Sequence, residues 1–434
     1  MASMGQWEHG GGHLRSPRQA WSPRWPEAGA TCTFEPPDRR LARRLAIPDP
    51  ARPSHASDVV VSAATPPSPG APVTPPRIGL AISGGGFRAT CFGLGCLRAL
   101  HDQDLLQHVS VISGVSGGSL LTALYAYGPI GFGAFDALVV EQLRRGLQLE
   151  VAARAVHPRA VGKAVLHAVR ATLVHRSGEP ILRGATRTDA LRDTLAARVF
   201  ADRLLHEPSH PSLATVITAA DLRTGNAVRF GSLRSSCSAY GTIEDPITVA
   251  EAVAASAAFP VFFPAVERTY TFQSRPSEAR ERHTVLLTDG GVYDNLGLSV
   301  LEPGRSGEHT AHKYDVDYIV ACDSGRGRPH LSAGHFATWR LRRAFEISHR
   351  RVQDAARGRL HEAATDGRLK GFVHAYLGMP DSRLPMPVTD LIPADQVRHY
   401  PTDFRAMDPW VLEAISLRGE QLTRALLAHY CPSL

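Results

Sequence analysis

Beyond residue 77 the chain repeats one pattern, a short apolar run of strand length followed by residues with helical spacing. Ile78 to Ile82 (IGLAI) is the first apolar run and Ser83 to Gly86 (SGGG) a tight loop, after which Phe87, Cys91, Leu94, Leu97 and Leu100 mark one face of a helix within 87–106. His108 to Ile112 is the second run, and Ser119 to Tyr127 the helix after it. Strand, helix, strand, helix in this order predicts βαβ connections and a parallel sheet covered by helices. Downstream, 214–232 reads as a β-hairpin turning at Thr224, Gly225 and Asn226, and 246–266 as a small-residue helix broken at Pro260. Thr284 to Thr288 and Tyr318 to Cys322 read as strands, the first of them ending at Asp289.

Helical spacing holds from about Ala134 to His206 and again from about Ser324, where Phe345, Val352 and Ala356 fall on one apolar face. The pattern predicts an α/β fold with a mainly parallel central sheet, a helical insertion at 134–206 and a helical C-terminal extension. Residues 1–76 differ. Thirteen of the 32 prolines lie in the first 75 positions among Gly, Ser and Arg, which predicts a disordered tail. The main domain is expected over 77–325, and a basic helical extension packed on the core over 326–434. An uncharged stretch at 109–135 is long enough to span a bilayer, but six glycines and Pro129 interrupt it. A buried strand, turn and helix is the better reading.

The formal charge of +7 would suit an anionic partner, nucleic acid or an acidic membrane surface. Only Lys163, Lys313 and Lys370 among the 48 basic residues are lysine, a bias toward Arg that reflects base composition as readily as binding. Two segments concentrate the charge: 134–206 with net +5 and 324–370 with net +7. The first reads as a solvated helical face, with a lid or membrane-facing surface as the other reading. The second reads as an outer helix on the core, with contact to anionic headgroups second. Nucleic acid is not expected as a partner, because no reader motif or interleaved aromatics accompany the arginines. Six scattered cysteines form no CxxC pair, so reduced thiols in a cytoplasmic setting and no metal are expected. No secretory signal is visible at the N-terminus.

The candidate chemistry sits in three glycine-rich stretches. ISGVSGG at 112–118 places Ser116 in a GxSxG frame between a strand and a helix, where small neighbours permit a sharp, strained turn. A serine hydroxyl needs a base, and none of the 20 histidines stands in a frame that marks it. Asp289 ends a strand and precedes Gly290 and Gly291, and catalytic groups in such sheets gather at strand carboxyl ends. Asp323 is a weaker candidate at another strand end. SGGG leads into a helix, where backbone N–H groups suit a tetrahedral oxyanion. The same glycines could cradle a phosphate, but no GK[ST] follows, and Ala89 breaks the dinucleotide fingerprint. Asp294 and Asn295 read as a helix cap, and Cys91 and Cys96 as packing residues.

SGGGFRA, GVSGG and DGGVYDNLG, in that order, resemble the three signatures of the patatin-like phospholipase family, related to cytosolic phospholipase A2. The resemblance covers roughly 77–325, and AASAAFPVFFPAV at 254–266 is similar to the family's segment before its aspartate. It implies a three-layer α/β/α fold, a Ser and Asp dyad without a catalytic histidine, no cofactor, and acyl lipids such as phospholipids as substrates. Ser116 would be the nucleophile, Asp289 the general base, and Gly85 and Gly86 the oxyanion donors. Arg88 would face the lipid phosphate. Ala89 stands where the family's GxGxxG pattern ends in glycine, as in the SGGGxRA variant. A phospholipase A or lysophospholipase is the leading expectation. Acyl transfer by the same dyad, a conventional triad esterase and a non-catalytic lipid-binding protein are the alternatives.

Overall fold

The computed structural model describes residues 75–155, 186–260, 262–274, 277–308, 310–327 and 336–434. All but the last two residues of the expected tail lie outside these, as does 156–185 of the expected helical insertion. In chain order the elements begin β1 (Ile78–Ile82), α1 (Gly86–Asp102), β2 (Val109–Val115), α2 (Gly117–Tyr127), α3 (Phe132–Arg145), α4 (Gln148–Ala155) and α5 (Arg187–Leu195). Then come β3 (Ala214–Asp221), β4 (Ala227–Gly231), β5 (Ser235–Cys237), β6 (Gly241–Ile243), α6 (Val249–Ser256), β7 (Val266–Gln273), β8 (Arg280–Asp289) and α7 (Gly291–Asp294). The remainder is β9 (Tyr318–Asp323), α8 (Ala337–Thr365), β10 (Gly371–Tyr376), α9 (Ala394–Val397) and α10 (Pro409–Tyr430).

Among the described residues, ten strands form one sheet in the order β10-β9-β1-β2-β3-β4-β5-β6-β7-β8. From β10 to β3 the neighbours are parallel. From β3 to β8 every pairing is antiparallel, and β8 pairs back onto β3, so six strands close a ring. This overturns the expected mainly parallel sheet. The physical reason lies in the strands that sequence pattern did not reveal. β5 and β6 are three residues each, carry mostly Ser, Gly and Thr, and have no apolar run to announce them. They hold because cross-strand pairing supplies what their propensity does not. β7 (VERTYTFQ) does alternate, burying Val266, Tyr270 and Phe272, and it pairs with β8 along its whole length. β10 was concealed in the stretch read as helical.

The parallel strands are covered on both faces, which is why they read as continuous apolar runs. Ile78, Leu80 and Ile82 of β1 pack with Phe87, Leu94 and Leu97 of α1, while Ala81 joins Leu298, Ile319 and Leu360 on the opposite face. Helix α10 lies along α1, where Cys91 Sγ donates to Leu412 O at 3.1 Å and Arg98 Nη1 to Ser416 Oγ at 3.1 Å. Arg98 Nε also reaches Asp136 of α3 at 2.6 Å. These contacts hold rigid the helix whose N-terminus faces the candidate site. The stretch 109–135 forms β2, α2 and the start of α3. No helix among the described residues is long and apolar enough to cross a membrane.

Candidate active site

β2 delivers Ser116 into a backbone conformation of φ 53° and ψ −121°, the left-handed side that a residue with a Cβ seldom adopts. Such a residue stores on the order of 1–3 kcal/mol, held by the structure around it. Ser116 N–H donates to Ser256 Oγ at 2.9 Å, and Ser256 Oγ donates to Thr218 O at 2.7 Å. Ser119 Oγ holds the Ser116 carbonyl at 2.6 Å. The turn is thus pinned from α2, α6 and β3 together.

Asp289 reaches the same edge by a route that sequence did not reveal. β8 runs antiparallel to β3 and overlaps only its last three residues, leaving Asp289 opposite Ala219. Asp289 N–H and Thr288 Oγ1 both donate to Ala258 O at 3.0 Å, so the segment after α6 ties the Asp289 turn to the Ser116 turn. The carboxylate is 2 % exposed. Oδ1 accepts from Gly291 N–H at 2.7 Å. Oδ2 is buried without a partner at full hydrogen-bonding distance among the described residues. Burial raises the pKa of Asp289 from 3.8 to about 6, against the opposing pull of the nearby Ser116 hydroxyl and the Gly291 amide. The Ser116 contact is therefore a loose one, as expected before a substrate tightens it.

Asp323 provides the contrast. It ends β9, is equally buried, and accepts from Arg357 Nη2 and His374 Nε2 at 3.0 Å each and from Gly325 N–H at 2.7 Å. These partners outweigh burial and hold it down at about 2. Two carboxylates at one sheet edge have been pushed apart, and only Asp289 sits where a base working near neutral pH should.

Between β1 and α1 the backbone turns through Gly85 (φ 146°) and Gly86 (φ 59°). Gly84 N–H donates to Asn295 O at 2.9 Å and Phe87 N–H to Asp403 O at 2.8 Å, which fixes both ends of the loop. The N–H groups of Gly85 and Gly86 donate to no described group. They are unsatisfied donors at a helix N-terminus, the arrangement that receives an anion. A Cβ on Gly86 would stand 2.5 Å from Asp403 O and 2.9 Å from Asp403 N. Gly86→Ala is accordingly expected to cost about 2–4 kcal/mol and to abolish activity. Denaturant melts of both variants check this, and Gly133→Ala, where a Cβ meets nothing within 4 Å, should be neutral or slightly stabilising.

Arg88 is 6 % exposed, and its Nε and Nη1 donate to Ser324 O at 3.0 Å and Tyr400 O at 2.6 Å. Burial, reinforced by Arg326, lowers its pKa to about 9. Nη2 has no acceptor among the described residues. No described histidine bonds Ser116 or the Asp289 carboxylate; His349 donates instead to Gly291 O at 2.9 Å. Asp294 caps a turn rather than a helix, accepting from the N–H groups of Leu296, Gly297 and Ser299. Sequence reasoning missed Ser256, Ser324, Tyr400 and Asp403. Only Ser256 carried a signal, its place within AASAAF.

The family model for the patatin-like phospholipase matches residues 80–301, just over half of the chain and all three glycine-rich stretches. The chain belongs to the patatin-like phospholipase family. A Saccharomyces cerevisiae protein named as a meiotic phospholipase, SPO1, is 47% identical over 45 residues, 10% of this chain and 7% of that protein. Among solved structures the chain is similar to human GIVD cytosolic phospholipase A2, with 15% identity and a TM-score of 0.42 over 81% of this chain and 58% of that one. VipD from Legionella pneumophila gives 14% identity and a TM-score of 0.31 over 82% and 68%. The chain thus spans a small part of the curated relative and a little over half of the human enzyme's chain.

Proposed function

We propose that the protein is a serine acyl hydrolase of phospholipase A or lysophospholipase type, working through a Ser116 and Asp289 dyad. One observation carries the reading: a serine held at φ 53° beside a fully enclosed carboxylate whose pKa lies at about 6. Ser116 Oγ attacks the ester carbonyl carbon while its proton passes to the Asp289 carboxylate. The Gly85 and Gly86 N–H groups receive the oxyanion. Collapse breaks the ester C–O bond, the leaving alkoxide takes the proton from Asp289, and an acyl group remains on Ser116. Water then attacks the acyl-enzyme and gives a proton to Asp289; collapse breaks the acyl–Oγ bond, Ser116 Oγ takes that proton back from Asp289, and the fatty acid leaves. Arg88 offers Nη2 to a substrate phosphate, its other nitrogens being occupied. Residues 77–325 supply this machinery, and 326–434 brace it through Tyr400 and Asp403. A cytoplasmic protein meeting membranes from one side, with no nucleic-acid partner, fits this chemistry.

The base must be deprotonated to act, so kcat/KM for fatty-acid release from phospholipid should rise about tenfold per pH unit below pH 6 and level off above it. A profile flat from pH 4 to 8 would remove Asp289 from this role. Lipid products analysed with wild type and Ser116→Ala, with and without an added alcohol, separate hydrolysis from acyl transfer.

A further inference from the structure

Helix α8 carries one apolar stripe that changes surroundings along its length. In its C-terminal half Ala356, Leu360 and Ala363 are buried against Leu298 and Ile319. The same face continues toward the N-terminus through Val352, Phe345 and Leu341, at spacings of four and seven residues, but there it runs off the core. Leu341 is 75% exposed, Val352 48% and Phe345 45%, and Phe336 just before the helix is 82% exposed. Apolar residues grouped in this way mark a contact surface rather than scattered surface hydrophobes. The charge around them is one-sided. Between 336 and 352 the sequence holds five arginines and a single acid, Glu346.

The stripe also lies close to the candidate site. His349 of α8 donates Nε2–H to Gly291 O at 2.9 Å, and the Gly291 N–H holds Asp289 Oδ1. Phe345 stacks on the His349 ring at 5.6 Å. A surface occupying this face would sit beside the turn that carries the candidate base.

We infer that the N-terminal half of α8 is an interfacial docking helix that lays Leu341, Phe345 and Val352 into an anionic phospholipid surface, with Arg340 and Arg351 among the headgroups. The inference rests on the lipid-ester reading only for its purpose, since it brings the site to aggregated substrate. An apolar stripe flanked by arginines is the pattern of helices lying in the plane of a bilayer interface. A second copy of the chain fits less well, because a two-fold contact would set ten arginines against two glutamates.

The test is sedimentation of the full chain with vesicles of phosphatidylcholine, alone or with phosphatidylglycerol, at low and high salt. Wild type should partition onto the phosphatidylglycerol vesicles at least about tenfold more strongly, and salt should weaken this. Leu341→Glu combined with Val352→Glu should lower that partition at least about tenfold. It should also leave hydrolysis of a soluble short-chain ester unchanged, which shows that the variant is folded. Partition equal to wild type in the double variant would overturn the docking surface. So would analytical ultracentrifugation showing a wild-type dimer that the same substitutions split. Vesicle binding without hydrolysis of any ester would sink the catalytic reading and leave the docking surface standing.

Discussion

Asp289→Asn is expected to lower turnover about 10⁴-fold and, at the same time, to raise thermal stability at neutral pH. The two effects share one cause. The folded protein holds this carboxyl at about 6 against 3.8 when unfolded, so between those values the native state binds a proton that the unfolded chain has lost. Stability therefore falls as pH rises through that window, and above pH 6 the charged form costs the fold about 3 kcal/mol. Asn carries no charge and keeps an oxygen for the Gly291 amide. Melting curves at pH 7.5 should show the variant a few degrees above wild type, and at pH 4 the difference should shrink toward zero. A variant less stable than wild type at both pH values would mean that Asp289 is a structural ion rather than a base kept under tension.

Ser116→Ala is expected to lose turnover by about 10⁴-fold or more while folding normally. The hydroxyl makes no contact on which the turn depends, since the pins are the Ser116 backbone N–H and C=O. Ser116→Gly should be equally inactive yet more stable, by about 1–2 kcal/mol, because glycine adopts φ 53° without strain. Fatty-acid release and denaturant melts on the two variants give both readouts. Equal stability of Ser116→Gly and wild type would remove the strain argument. A more stable Ser116→Gly, beside a more stable Asp289→Asn, would make both positions places where the fold gives up stability for chemistry, the expected signature of a working site.

The turns of the candidate site were legible in the chain because they are local. The turn at Ser116 follows from an apolar run, three glycines and a helix pattern within 20 residues, and the Gly85 and Gly86 loop from a similar sequence of signals. The fold was less legible, and the reason is the same. Parallel strands buried on both faces show themselves as apolar runs, whereas the antiparallel ring is held by pairings between short polar strands such as Ser235–Cys237. Asp289 was placed at a strand end correctly, but it reaches the sheet edge antiparallel to β3. Tyr400 and Asp403 brace the glycine loop and the start of α1 from more than 300 residues away, and no local pattern reports such a contact. The stripe at Phe345, Val352 and Ala356 was visible as one face, but its division into a packed and an uncovered half depends on where the core ends.

The most direct test of the central claim is covalent trapping with a long-chain alkyl fluorophosphonate, followed by mass spectrometry of the labelled peptides. A single adduct on the peptide containing Ser116 is predicted, forming at a rate that climbs with pH through about 6 and drops sharply in Asp289→Asn. An adduct on another residue, or labelling of Ser116 that Asp289→Asn leaves unchanged, would contradict the dyad.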